Sequence, residues 1–132
     1  MIQANELRIG NLISGVSDRI ETVVGLSQNV AYVYVGKIPE TFRERLEDAN
    51  GIPLTEEWLI KLGFNKMNDL DSWYSIPVNN TWTTINACAK HSMFEVFINH
   101  HSCVIKRQNS GKVHQLQNLY FSLTGQELQL TQ

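Results

Sequence analysis

Ile52-Pro53-Leu54-Thr55-Glu56-Glu57-Trp58-Leu59-Ile60-Lys61-Leu62-Gly63-Phe64 carries its own start and stop signals for a helix and separates two unlike halves of the chain. Thr55 is placed as an N-cap, because its hydroxyl can accept from a free first-turn amide. Glu56 and Glu57 follow where the positive end of the helix dipole favours carboxylates. Leu54 and Leu59 occupy the two positions of a hydrophobic staple. Gly63 can take the left-handed conformation that ends a helix, and Phe64 can fold back on the last turn. The pattern therefore predicts a short helix over residues 56–62. Trp58, Leu59, Ile60 and Leu62 are too many for one narrow stripe, which predicts burial from two sides.

Outward from that helix, the N-terminal half alternates β-branched residues with turn signals. Residues 7–13, 19–26 and 30–35 read as three short antiparallel strands, with turns at residues 15–18 and 27–29. Such a meander needs a partner surface or closure into a small barrel, of which an SH3-like roll is the simplest. Residues 41–50 are ambiguous. Phe42 and Leu46 lie at helical spacing, as do Arg43 and Glu47, and Asn50-Gly51 would stop a helix, yet a last barrel strand also fits.

Beyond the middle helix, residues 65–71 read as a polar connection. Strands are expected at residues 72–78, 81–88, 93–99 and 102–107, with turns at Asn79-Asn80, at residues 90–92 and at His100-His101. Val113, Leu116, Leu119, Tyr120 and Leu123 then fall on one helical face that closes at Thr124-Gly125. Leu128 and Leu130 alternate as an edge strand would. The expected architecture is α+β: an N-terminal antiparallel β meander or small SH3-like barrel, a middle helix, then an antiparallel sheet covered by a C-terminal helix. The modules divide at residues 1–51 and 52–132 and are expected to pack as one unit.

The chain's 132 residues suit a domain able to bury a sizeable core without disulfide or metal. A formal charge of -2, from 11 basic and 13 acidic residues, gives no field that would draw the protein onto a polyanion or anionic membrane. The start, Met1-Ile2-Gln3-Ala4-Asn5-Glu6, has neither a basic cluster nor a long apolar run, so a cytoplasmic location without a membrane segment is expected. Cys88 and Cys103 fit free thiols in a reducing compartment.

Three stretches carry a resemblance: Asn5-Glu6-Leu7-Arg8-Ile9-Gly10-Asn11, then Ile52-Pro53-Leu54-Thr55-Glu56-Glu57-Trp58-Leu59, then Val113-His114-Gln115-Leu116-Gln117-Asn118-Leu119-Tyr120-Phe121 with Leu123-Thr124-Gly125. In these the chain resembles a family of small proteins from Bacteroides-type bacteria and their prophages. The resemblance implies no activity, cofactor or catalytic residue. It implies a context, that of a mobile-element or phage accessory protein, and with it a binding role toward a host or phage component.

Four constellations could carry chemistry. Cys88, His91, His100 and Cys103 form a two-plus-two set with the ligand types and number that tetrahedral zinc prefers, although they fall on strands and turns without a knuckle's glycines. A thiol–imidazole nucleophile from Cys103 or Cys88 is the enzyme alternative, with no third residue to orient the base. Asn68, Asp69 and Asp71 suit a turn better than a cation site. Lys106, Arg107 and Lys112 make a basic patch at the start of the last helix, and Tyr32 and Tyr34 on one strand face offer a stacking surface for nucleic acid. Trp73, Tyr74 and Trp82 flank a hairpin turn and can anchor a protein partner. Glycine-rich phosphate loops and the HExxH zinc signature are absent, so no cofactor is called for. The function expected is non-enzymatic binding of a protein partner, with nucleic-acid binding as the first alternative and a zinc- or thiol-dependent enzyme as the second.

Overall fold

The computed structural model describes residues 2–15, 18–36, 40–67, 72–78, 83–97, 107–108 and 111–130, with side chains at all of these except 97, 107 and 108. The chain is α+β and forms two compact units, one of Met1–Ile52 with Val113–Asn118, the other of Pro53–Lys112 with Leu119–Gln132.

The first unit begins with a 3-10 turn at Ala4–Glu6, followed by an antiparallel sheet of β1 (Leu12–Ser14), β2 (Ile20–Leu26), β3 (Val30–Val35) and β4 (Phe42–Arg45), ordered as in the sequence. Alternation along the strands sends Ile13, Val23, Ala31 and Val33 into a core that Ile2, Leu7, Leu46 and Ala49 complete. The ambiguous segment resolves as strand followed by a 3-10 turn at Leu46–Asp48. Pairing with β3 decides it, from Val33 opposite Phe42 to Val30 opposite Arg45. Arg45, rather than Arg43, pairs with Glu47, at 2.7 Å.

Of the two alternatives for this half, the meander is the one observed, and the SH3-like barrel is corrected to an open sheet. The turn at Leu46–Asp48 ends β4 before it can run along β1, and contact with β1 is left to the isolated bridge of Ser14 with Asn50. That bridge exchanges two backbone bonds of 2.9 and 2.8 Å.

The second unit holds α1 (Glu56–Lys61) and a five-stranded antiparallel sheet of β5 (Asn65–Lys66), β6 (Trp73–Pro77), β7 (Thr84–Cys88), β8 (Met93–Phe97) and β9 (Arg107–Gln108). The helix begins and ends as its local chemistry dictates. Thr55 Oγ1 accepts from Trp58 N at 3.3 Å, and staple residues Leu54 and Leu59 are buried. At the other end Phe64 N donates to Leu59 O and Gly63 N to Ile60 O, both at 3.0 Å, the paired bonds of a Schellman motif. Leu59 and Leu62 are buried while Ile60 is 52% exposed, so the expected burial from two sides is corrected to burial of one face. The polar connection after α1 supplies the short strand β5, which pairs Asn65 with Ser75 and Lys66 with Tyr74.

The last helix, α2 (Val113–Thr124), contributes Val113–Asn118 to the first unit and Leu119 onward to the second. It closes at Gly125, whose φ is +71 and whose N–H donates to Phe121 O at 2.8 Å. The described part of the tail forms no strand, which corrects the edge strand expected from Leu128 and Leu130. Leu128 is buried and Leu130 exposed. Among the described residues no helix is long and apolar enough to cross a membrane.

Gly63 sits at φ +88, and an added Cβ there would meet only the Ile76 Cδ1 at 4.0 Å. Gly63→Ala thus isolates the backbone cost of the left-handed conformation and should destabilise the protein by about 1 kcal/mol. Urea denaturation of the two proteins measures it.

Candidate functional site

Of the zinc set, Cys88 ends β7 and is 3% exposed, and His91 stands exposed in the turn beyond it. His100 and Cys103 lie outside the described residues, as do Asn68, Asp69 and Asp71. Among the described residues no three His, Cys, Asp or Glu side chains converge as a metal site would require. In the basic patch, Lys106 lies outside the described residues and Arg107 is placed only as backbone, opposite Glu95 in the β8–β9 ladder. Lys112 is half-buried and forms a bridge with Pro53.

The partner anchors separate in the same way. Trp82 lies outside the described residues and Trp73 is half-buried. Tyr74 is 2% exposed, which corrects its assignment as a surface anchor. Its hydroxyl donates to the Glu56 carboxylate, and that bond, with burial and the Glu56 charge behind it, pushes the phenol up to about 12. Tyr74 therefore ties β6 to the first turn of α1.

The residues that sequence reasoning missed are buried polar ones of the first unit, and they come from the first and last motifs of the resemblance. Arg8 to Asn11 form a β-turn, with Asn11 N donating to Arg8 O at 3.0 Å and Gly10 at φ +99. The beginning of α2 grips this turn. Gln117 Oε1 accepts from Leu12 N at 2.9 Å while Gln117 Nε2 donates to Gly10 O at 3.3 Å. Asn11 Nδ2 donates to Asn118 Oδ1 at 2.8 Å, and Asn118 Nδ2 donates to Glu6 O at 2.9 Å. Asn11 is fully buried and Gln117 3% exposed, so the bonds they make satisfy groups held away from water, and the bond from Asn118 to Glu6 is part-buried. His114, 1% exposed, lies one turn earlier with Nε2 3.7 Å from Glu6 Oε1. The signal in the sequence is His114, Gln117 and Asn118 at helical spacing, interleaved with the apolar Val113, Leu116 and Leu119.

A second buried group is acidic. Glu21 on β2 is fully buried and Glu44 on β4 is 5% exposed, and both point to the core face of the sheet. Their carboxyl groups are hydrogen-bonded to one another, and the half-exposed Arg19 reaches Glu21 Oε2 at 3.4 Å. Burial first, and then the neighbouring Glu44 charge, raise the Glu21 carboxyl above its ordinary range against the pull of Arg19. Gly15 lies over this carboxylate so closely that a Cβ would collide with it.

The outer face of the same sheet presents the two tyrosines singled out by alternation. Tyr32 and Tyr34 on β3 are 41% and 40% exposed and stand two residues apart on one face. Arg43 lies directly opposite Tyr32 on β4, and Thr22 opposite Tyr34 on β2. Next to them a cleft of about 710 Å³ is lined by Ile2, Ala4, Val30 and Leu46, with Arg43 and Arg45 also on its wall. Arg45 is engaged by Glu47 and Asp48, at 2.7 and 3.1 Å. Arg43 makes no ion pair among the described residues. Of the sequence-selected residues, these tyrosines are the pair the fold presents together at the surface.

Comparisons with protein-family models, with curated proteins and with solved structures find no match.

Two outcomes follow. Gln117→Ala leaves the Leu12 N–H and the Gly10 carbonyl without their partner and should cost about 2 kcal/mol or more in denaturant unfolding. For the acid pair, a raised folded-state value means the folded state holds the proton more tightly than the unfolded one. The contribution is then fully present below the ordinary carboxyl range and is lost as pH rises through the raised value. Midpoints of thermal unfolding across this range should fall with rising pH in the native protein and fall less in Glu21→Gln.

Proposed function

We propose that this chain is a non-enzymatic interaction module that binds a protein partner through the outer face of β3 and β4. The observation that carries this reading is the pairing of Tyr32 and Tyr34, each about two-fifths exposed, beside Arg43. Tyrosine and arginine are the side chains that interface centres enrich and that hot spots use: tyrosine buries much surface at little entropic cost while keeping a polar handle, and arginine offers a planar fork of donors. The cleft beside them gives the face relief.

Other chemistries draw less support from the same residues. Cys88, the described thiol, is buried within its strand rather than opened to a substrate. The net charge of -2 gives nucleic acid no general attraction, although a tyrosine pair is also a surface on which bases stack. The resemblance to prophage proteins supports an accessory role of the mobile-element or phage type in the cytoplasm of a host.

Capture of a tagged chain's partners from a host lysate, with and without nuclease, tests the proposal. A stoichiometric, nuclease-resistant protein is expected. The Tyr32→Ala/Tyr34→Ala variant should retain its fold and lose about tenfold or more in affinity for that protein, since truncating a hot-spot aromatic costs about 2 kcal/mol. A catch that disappears with nuclease, or a partner that the double variant binds unchanged, overturns it.

A further inference from the structure

The edge of the first sheet narrows the chemistry of the partner. β4 is the last strand in the order β1-β2-β3-β4. Leu46 N donates to Asn29 O at 3.0 Å, which identifies the bonded positions of the β3–β4 pair. In an antiparallel ladder bonded and non-bonded pairs alternate. Counting from Asn29 and Leu46, the pairs Ala31 with Glu44 and Val33 with Phe42 exchange hydrogen bonds, while Arg45 opposite Val30 and Arg43 opposite Tyr32 do not. The backbone N–H and C=O of Arg43 and the N–H of Arg45 therefore point off the sheet, while the Arg45 C=O opens the 3-10 turn at Leu46–Asp48.

Resting on the protein-partner reading above, we propose that this edge of β4 is a strand-addition site for an extended acidic segment of the partner, anchored by a carboxylate on the Arg43 guanidinium. Strand addition takes its affinity from main-chain bonds and its specificity from the side chains on alternate positions. A residue of the incoming strand placed opposite Arg43 shares its face and falls beside the guanidinium, with Tyr32 one strand further in on the other side of Arg43. The next residue on that face, two positions away, falls opposite Arg45 and against the cleft walled by Ile2, Val30 and Leu46. Arg45 is already engaged by Glu47 and Asp48, so Arg43 supplies the charge that selects, and Ile2, Val30 and Leu46 offer an apolar patch within a cleft whose other walls include Gln3, Gln28 and Asn29. Added antiparallel to β4, the segment then reads, from its N-terminal side, apolar, any residue, acidic. Short length and exposed charge also keep an edge from pairing with itself.

The test uses two short synthetic peptides, one with glutamate and valine in the acidic and apolar positions and one with lysine replacing glutamate, each titrated into the isotope-labelled full chain. The glutamate peptide should bind at least about tenfold more tightly than the lysine peptide, and Arg43→Glu should reverse that order. Backbone amide resonances of Arg43 and Arg45 should move more than those of β1. No binding of either peptide, equal binding of both, or shifts centred away from β4 overturns the proposal. Circular dichroism of Arg43→Glu, a change at an exposed site, checks that the fold is retained. A captured partner that is lost with the tyrosine double variant but kept with Arg43→Glu sinks the acidic-strand proposal and leaves the interaction-face reading standing. A partner kept by both variants removes both.

Discussion

The first unit depends on one side-chain amide. Gln117 meets a donor and an acceptor of the turn before β1, Leu12 N–H and Gly10 C=O, so a single residue closes a loop of more than a hundred positions with matched polarity at both ends. Loop closure over such a distance costs chain entropy that apolar contact alone would repay without choosing a register. The paired amide chooses it. Asn11 and Asn118 repeat the device on a neighbouring turn of chain. Glutamine and asparagine at buried positions thus specify which part of α2 joins the N-terminal sheet.

The same unit holds a polar group of the opposite character. Glu21 and Glu44 occupy core-facing positions of β2 and β4 where the pattern of Val23, Ala31 and Val33 would be expected to continue. Two carboxyl groups in contact away from water are compatible only with shared protonation or a compensating cation, and Arg19 supplies part of the latter from the rim. Gly15, in the turn after β1, leaves the Glu21 carboxyl its space. Amides satisfied in every direction and a carboxyl held above its ordinary range are two ways of burying polarity, and only the second is sensitive to pH.

What the sequence revealed followed the range of the interaction responsible. The cap at Thr55 and the Schellman end at Gly63 and Phe64 arise within a few residues, and both appear where local chemistry places them. β3 was legible from alternation, including the outward set of Tyr32 and Tyr34. Phe42 to Leu46 stayed ambiguous because a spacing of four suits a helix, while the outcome was decided by β3, which no local pattern encodes. Tyr74 looked like a surface aromatic until Glu56 gave its hydroxyl an internal partner. His114, Gln117 and Asn118 carried no reading of their own in the sequence because their partners lie at the other end of the chain.

The outer face owes its form to a defect in the ladder. Register between β2 and β3 shifts between Val23 and Gly25, so Val23 opposes Val33 while Gly25 opposes Tyr32, and Val24 is the extra residue of a bulge. A bulge bends its strand and re-aims the side chains around it. Here it sets a glycine opposite an aromatic ring, and a Cβ at Gly25 would come within 3.4 Å of Tyr32 Cδ2. The ring therefore lies along backbone rather than against a side chain and is held from one side by β2. On the other side Arg43 stands opposite it from β4. An aromatic so supported loses less freedom when a partner covers it than one standing alone in water, and preorganisation of that kind converts directly into affinity. The core fixes which strand faces inward, and the bulge then determines how the outward face is presented.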